Sequence, residues 1–595
     1  MASARRALAA AVAIPFRADP RRTVAAFVLG AGASLIGVLS AYWLKRVVDG
    51  ARAGDEAAAV AGAVGIGVTL AVGMLCRSSL ARMLFPLKEN TGLYLDRRIM
   101  QLVGAIPTID HHERPAHLDR IDVLRRESRA LSFAGTNAAD AFSLALQVAA
   151  TGVLLASVTP LLLGVPLFAA APVWAGARAE RIRQAALERT ADEARQARHL
   201  FELATSPAAG KELRVFGLGN ELLRRHREVW AGTDRGLDHA AVAGLARTTG
   251  AWLVFGIGYA AAVAVVVGGA VAGRAGLGDV VLALALVAQV NRQVGAMVGT
   301  VSLAVRTVKV ASRYLWLVDE AEASRPRITD PAPPPERLES GIRLRGVAFR
   351  YPESEVDALA ELDLTLPAGA TVAVVGDNGA GKSTLVKLLC RFYEPTAGVL
   401  TVDGVDLIRI DPIRLRDRIS AGFQDFVRFE LLAGQTVGVG DRPHADEAAA
   451  VGVALERAAS AEIVSALPGG LDTQLGSSFD AGVELSGGQW QKLALARAMM
   501  RPAPLLLVLD EPTAALDADT EHLLFARYAS AASSLAARSG TITLLVSHRF
   551  STVRAADLIV VVDGGRIVER GTHDELMAQA GLYAELYELQ ARAYR

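Results

Sequence analysis

Cysteine is almost missing from this chain: its 595 residues include two, Cys76 and Cys390, far apart and without metal-ligand spacing. That excludes a disulfide framework and a thiol-protease domain built on a Cys/His pair near the start, and leaves both as small buried apolar side chains. An excess of either charge is missing too. Net charge is +1, so no bulk field argues for nucleic acid as a partner. What the chain has in abundance is apolar surface, 52% of residues with a mean hydropathy of +0.31, and its charges are unevenly spread. A chain of this length is expected to hold more than one domain.

The charge-free runs come first. A bilayer crossing needs about 20 apolar residues, and Thr23 to Leu44 and Ala57 to Cys76 each meet this. The uncharged run Ala141 to Ala177 is too long for one crossing, and SVTP, ending at Pro160, splits it into a hairpin. Ala251 to Gly273 is the fifth span, and the sixth begins at Val280, interrupted by Asn291 and Arg292. An ionisable group inside a span is a functional candidate by default, though it can also face water or a partner in the cavity. The first 22 residues, MASARRALAAAVAIPFRADPRR, bracket a short apolar run with arginines. A signal peptide has this look, but a spanning segment follows at once, so an amphipathic helix on the cytoplasmic membrane face is expected over 1–22.

Short segments join spans one to two, three to four and five to six. Long charged segments separate two from three and four from five. Both are rich in arginine, with Arg97, Arg98, Arg125 and Arg126 in the first and Arg181, Arg183, Arg224 and Arg225 in the second. The positive-inside tendency puts them, and the N-terminus, in the cytoplasm. Each reads as two helical extensions meeting at a turn, near Pro115 to Val123 and near Ala208 to Asn220, because long unstructured loops are uncommon in compact proteins. A membrane domain is thus expected over 23–325. The proline-rich PRITDPAPPPERLESG then marks a semi-rigid linker, 326–340, before a second domain, 341–595.

In that second domain TVAVV, LLLVLD, TITLLVS and LIVVVDGG alternate with helix-like segments, the pattern of a parallel α/β core. GDNGAGKST (Gly376, Asp377, Asn378, Gly379, Ala380, Gly381, Lys382, Ser383 and Thr384) follows one such strand and precedes a helix, which is the context a phosphate loop requires. Its glycines let backbone N–H groups turn inward to phosphate oxygens, and the helix N-terminus adds its dipole. Lys382 is expected to reach the β- and γ-phosphates, and the Ser383 hydroxyl to ligate Mg²⁺. Downstream, LLLVLDEP ends a buried strand in two acids. Asp510 is placed to hold Mg²⁺ through water, and Glu511 to orient or deprotonate the attacking water.

Between these motifs stands LSGGQ, Leu485 to Gln489, followed by WQKLALARA. Here the sequence resembles the ATP-binding cassette family, and the motif order matches throughout the soluble half. Six spans with long loops ahead of the cassette resemble an exporter-type half-transporter. The resemblance implies a six-span α-helical membrane domain fused to a C-terminal α/β P-loop domain. It also implies ATP and Mg²⁺ as cofactors, and a second half-transporter subunit as partner, a homodimer being expected and a heterodimer possible in principle. It implies that Tyr351, in FRYP, stacks on adenine and that Gln424, in GFQD, touches metal and water. Ser486, Gly487, Gly488 and Gln489 would face the nucleotide bound to the opposite subunit, Asp517 would signal across the dimer, and His548 would hold the γ-phosphate and Glu511 in geometry.

The implied function is ATP-driven export of a peptide or other amphipathic compound across the cytoplasmic membrane by alternating access. A lipid flippase or an importer on the same scaffold is the alternative within transport, and an ATP-gated regulatory membrane protein the alternative outside it. One stretch departs from the family's exporters: LGSSFDAGVELSGGQ, Leu475 to Gln489, stands where they often carry a glutamate-bearing turn. This stretch, with GFQDFVRFELLAGQTV, resembles exporters of lanthionine-type peptides and related bacterial products.

Overall fold

The computed structural model describes residues 2–207, 209–273, 276–326, 328–511, 533–547, 549 and 553–593. Up to Ala323 the described residues are predominantly helical. In order come α1 (Ala2–Ala18), α2 (Pro20–Ser34), α3 (Ile36–Ala53), α4 (Glu56–Ala105), α5 (Asp110–Glu113) and α6 (Pro115–Leu131). Then follow α7 (Ala134–Val158), α8 (Val165–Arg189), α9 (Ala191–Thr205), α10 (Gly210–Val215), α11 (Gly219–Val271) and α12 (Leu277–Ala323). Among the described residues six helical stretches are long and apolar enough to cross a membrane: Pro20–Ala53, Glu56–Ala105, Ala134–Val158, Pro160–Arg189, Gly219–Val271 and Leu277–Ala323. At 1.5 Å per residue α4 and α11 run to about 75 and 80 Å, more than twice a hydrocarbon core. The extensions beyond the spans are therefore continuous helix.

The first turn falls elsewhere than expected. Pro115 to Val123 lies inside α6, and the break is the preceding Ile106–Arg114. Proline causes both effects. Arg114, the residue before it, is extended (φ −83°, ψ 120°), and Pro115 then opens the next helix with its φ already set. The second turn lies where expected: α9 stops at Thr205, Ser206 is extended before Pro207, Gly217 takes φ +62°, and α11 starts at Gly219.

The chain divides into two compact units. Met1–Ala105 with Pro115–Ala323 forms the first, and Ile106–Arg114 with Ser324–Arg595 the second. In the first, Leu155, Phe255, Leu282, Leu286 and Val290 are buried together, while Val60, Met74, Leu167, Leu253 and Val271 stay exposed. That inversion suits lipid, which gives no penalty to bare apolar side chains. Small residues let helices approach closely: a Cβ on Gly65 would sit 2.4 Å from the Trp43 ring, and one on Gly258 would sit 2.3 Å from Phe168 Cγ.

The second unit holds β1 (Gly341–Phe349), β2 (Leu359–Pro367), β3 (Thr371–Val375), β4 (Ala397–Val402) and β5 (Val405–Asp406). β6 (Ile419–Gly422), β7 (Leu506–Asp510), β8 (Ile542–Val546), β9 (Leu558–Asp563) and β10 (Arg566–Gly571) follow. An antiparallel sheet runs β2-β1-β4-β5, and a larger sheet runs β10-β9-β3-β8-β7-β6. In the larger sheet β3, β6, β7, β8 and β9 are parallel and β10 is an antiparallel edge. β3 is buried on both faces, which is why TVAVV shows no alternation. Leu344, Leu364 and Leu400 of one sheet share a core with Val374, Val508 and Leu544 of the other and with Leu385 of α13 (Lys382–Leu389).

Candidate active site

β3 lies between β8 and β9, with β7 one strand further. The loop after β3 and the acids at the end of β7 therefore emerge at the same edge, two strands apart. This is the carboxyl end of a parallel sheet, where α/β folds bind ligands.

The loop Gly376 to Gly381 wraps the start of α13. Gly376 has φ +150°, and a Cβ there would lie 2.0 Å from the Val562 carbonyl oxygen of β9. Gly379 has φ +83° with open space around it. Both backbone conformations belong to glycine, and the space a side chain would fill is what a phosphate needs to approach the N–H groups. α13 begins at Lys382 with no side chain capping its first turn, so those donors remain for an anion. Lys382 Nζ donates to the carbonyls of Gly376 (2.7 Å) and Asp377 (2.9 Å), which seats the ammonium inside the loop. Burial holds Lys382 below the usual lysine range, against the opposing pull of Glu511, Asp510 and Asp377.

Asp510 ends β7, and Glu511 follows with φ +46°, its N–H donating to the Val546 carbonyl at 2.9 Å. A non-glycine residue held there is a local strain of the kind that gathers at functional sites. Burial first, and the neighbouring Glu511 next, push the Asp510 carboxyl up to about 6. Gln424 Nε2 donates to Glu511 Oε2 at 2.8 Å. Ser383 hydroxyl, Asp510 carboxylate and Gln424 amide are hard oxygen donors, the set that Mg²⁺ takes alongside phosphate oxygens. The site therefore brings together Lys382, Asp510, Glu511 and Gln424. Sequence reading missed Gln491, whose Nε2 donates to the Glu511 carbonyl at 3.4 Å. No spacing pointed to it, since it sits in the Gly487–Ala498 helix that the LSGGQ signature opens.

Tyr351 stands on the same side. Its hydroxyl is 3.0 Å from Thr384 Oγ1 of the phosphate loop, and its ring packs edge-on against Phe349 and Tyr393. Ser486 caps the Gly487–Ala498 helix: its Oγ accepts from Gln489 N–H (3.3 Å), and Gln489 Oε1 accepts from Ser486 N–H (2.9 Å). This capping box uses the Gln489 side chain within its own turn. Among the described residues no hydrogen bond joins that turn to the phosphate loop. The divergent stretch before it is tied down by Glu484, which accepts from Trp490 Nε1 and from Ser477 N–H, both at 3.2 Å. Asp517 and His548 lie outside the described residues.

The membrane unit has its own cavity, about 420 Å³, between α7, α8 and α12. Leu155, Ala169, Trp174 and Val294 line it, and its polar floor is Gln293, whose Nε2 donates to Thr151 Oγ1 at 2.7 Å. Arg292 is exposed on α12 and donates to Gln289 Oε1.

Residues 359–514 match the family model described as ABC transporter. The chain is 43% identical over 265 residues to an ATP-dependent lipid A-core flippase of Chromohalobacter salexigens, a match covering 44% of each chain. A protein of the same name from Bordetella avium is 35% identical over 355 residues, covering 59% of this chain and 57% of that one. The chain thus spans about half the length of the relatives it matches. A solved structure, of a bacterial Atm1-family ABC exporter with ATP bound, matches with a TM-score of 0.77 at 24% identity, covering 96% of this chain and 98% of the other.

Proposed function

Starting from a chain that carries an ABC transporter domain and the fold of an ABC exporter half-transporter, we propose that it hydrolyses ATP to move an amphipathic compound out across the cytoplasmic membrane. The observation that supports this most is the joining of Lys382, Asp510, Glu511 and Gln424 at one sheet edge, in a chain whose other unit holds, among the described residues, six helical stretches long and apolar enough to cross a membrane. Phosphoryl transfer needs positioning and charge neutralisation more than covalent chemistry. Backbone N–H groups of the loop and the Lys382 ammonium hold the phosphates. Glu511, oriented by the Gln424 amide, takes the proton of the attacking water. Ser383, Asp510 and Gln424 would hold Mg²⁺, which supplies positive charge to the phosphate oxygens when bound.

Two copies complete the assembly in this reading. The Ser486–Gly488 turn, a helix N-terminus with spare donors, serves the nucleotide held by the other copy. Asp517 and His548 take the roles that the family resemblance implies. ATP binding draws the cassettes together and cleavage releases them, with N-terminus and cassettes in the cytoplasm. Glu511→Gln is expected to keep ATP binding, trap closed dimers and abolish turnover; undiminished hydrolysis by that variant overturns the reading. The cargo class is apolar or amphipathic, a reading supported by the apolar walls of the 420 Å³ cavity. Lipid flipping is the second reading, favoured over peptide export by the names of the relatives. Reconstituted vesicles separate the two, through ATP-dependent inversion of a labelled lipid or accumulation of a labelled peptide.

A further inference from the structure

Glu113 belongs to the connection between α4 and α6, yet it lies in the second unit. Both of its carboxylate oxygens are taken. Lys387 Nζ donates to Oε1 at 2.7 Å, and Tyr393 OH donates to Oε2 at 2.5 Å. The two donors share a second property: each touches Tyr351. Lys387 Nζ donates to the Tyr351 hydroxyl at 3.2 Å and lies 5.1 Å from the centre of its ring. The Tyr393 ring meets the Tyr351 ring edge-on, centroids 5.5 Å apart. The Tyr351 hydroxyl also reaches Thr384 Oγ1, so one chain of contacts runs from Glu113 to the phosphate loop.

Nothing here is loosely held. Tyr393 is buried, and Thr384 is buried at the first turn of α13. Burial opposes the Lys387 charge, but Glu113 and Tyr351 more than offset it and lift its pKa. At the other end of the segment, Arg416 Nη2 donates to the Pro107 carbonyl at 2.5 Å while also holding the Arg391 carbonyl at 2.6 Å. Ile109 packs on the core shared by the two sheets. The segment is therefore fixed to the cassette at both ends, and covalently to α4 and α6.

We propose that Glu113 is a positioning residue for the Tyr351 ring: through Lys387 and Tyr393 the first long connection sets how firmly the cassette stacks on the base of its nucleotide. By linkage, nucleotide occupancy then biases α4 and α6 by the same factor. Withdrawing the carboxylate strips Lys387 of its counter-charge and leaves the Tyr393 hydroxyl without its acceptor, so the hydroxyl contacts that orient Tyr351 are rearranged. Phosphate binding by the loop should change little, because the loop meets this network at one side chain, the Thr384 hydroxyl, and only through Tyr351. This inference rests on the ATP site proposed above.

The test uses the full-length protein in phosphatidylethanolamine and phosphatidylglycerol vesicles. Glu113→Gln and Lys387→Met should each raise KM for ATP about three- to tenfold with kcat changed less than about twofold, less than the full worth of a charged hydrogen bond because the loss reaches the base only through the Tyr351 ring. Tyr393→Phe, which keeps the ring, should raise KM by about two- to threefold. Inhibition by inorganic tripolyphosphate, which has no base to stack, should be unchanged in all three. An unmoved KM for ATP overturns the proposal. So does an equal loss for tripolyphosphate, the mark of a displaced loop and not of a mispositioned ring. A wild-type protein without ATPase activity would sink the assignment of the cassette; an active wild type with an unmoved Glu113→Gln sinks this inference alone.

Discussion

Alanine at Gly376 and alanine at Gly379 are the same chemical change in the same loop, and the structure separates them. Both glycines have positive φ, +150° and +83°, so each alanine meets a left-handed penalty of about 1–2 kcal/mol. At Gly379 that is all, since nothing lies within 4 Å of the added Cβ. At Gly376 the Cβ lands 2.0 Å from the Val562 carbonyl oxygen and 3.1 Å from its carbon. Val562 is fully buried in β9 and paired with Ile567 of β10, so the backbone it meets is held in place. Forcing that contact adds roughly 1–3 kcal/mol, for a total of about 2–5.

The loop can hold its shape and lose stability, or relax and lose its phosphate geometry. The loss is therefore measured as the sum of two quantities, chemical denaturation of the protein in vesicles and affinity for a fluorescent ATP analogue. Gly379→Ala should sum to about 1–2 kcal/mol, near five- to thirtyfold if all of it falls on binding. Gly376→Ala should exceed it by at least about fivefold. If the two variants agree within about twofold in both measurements, the loop does not have the geometry described here.

Two further comparisons probe packing. Trp490 is 1% exposed beneath the signature turn and bonded to Glu484; Trp490→Ala should cost about 3–5 kcal/mol in denaturation, and Trp490→Phe about 1 beyond its lost volume. In the membrane unit Gly258→Ala forces a methyl into Phe168, whereas Gly256→Ala meets open space. The first should lower the thermal midpoint in vesicles by an overpacking cost of about 1–3 kcal/mol and the second should be neutral or slightly stabilising; equal midpoints refute the α8–α11 contact.

Much of the architecture was legible because it is written in short range. Length and lack of charge mark a span whatever it packs against, and all six expected spans, from Thr23 to Leu44 through the one from Val280, fall on helical stretches long and apolar enough to cross a membrane. The phosphate loop was legible for a similar reason: glycine spacing, lysine and the flanking strand are contiguous. The misplaced first turn is instructive. The turn was expected near Pro115 to Val123, but proline acts on the residue before it and starts the helix after it, so the break lies at Ile106–Arg114. Gln489 shows the opposite limit. Its place in the signature was plain, but its side chain is spent on its own helix cap.

By itself, then, the sequence determined which segments are long and apolar enough to cross a bilayer, that an α/β domain follows them, and which nine residues make the glycine-rich turn from β3 into α13. These follow from local hydrophobicity, glycine freedom and strand-turn-helix order. Tertiary structure alone decided that Gln424 meets Glu511, 87 positions away, and that Glu113 meets Lys387, 274 away. Those pairings depend on β6 lying beside β7 and on a nine-residue piece of the first connection joining the other unit. Strand order and docking are won by burial of whole faces, a sum over the fold that no short stretch of residues records.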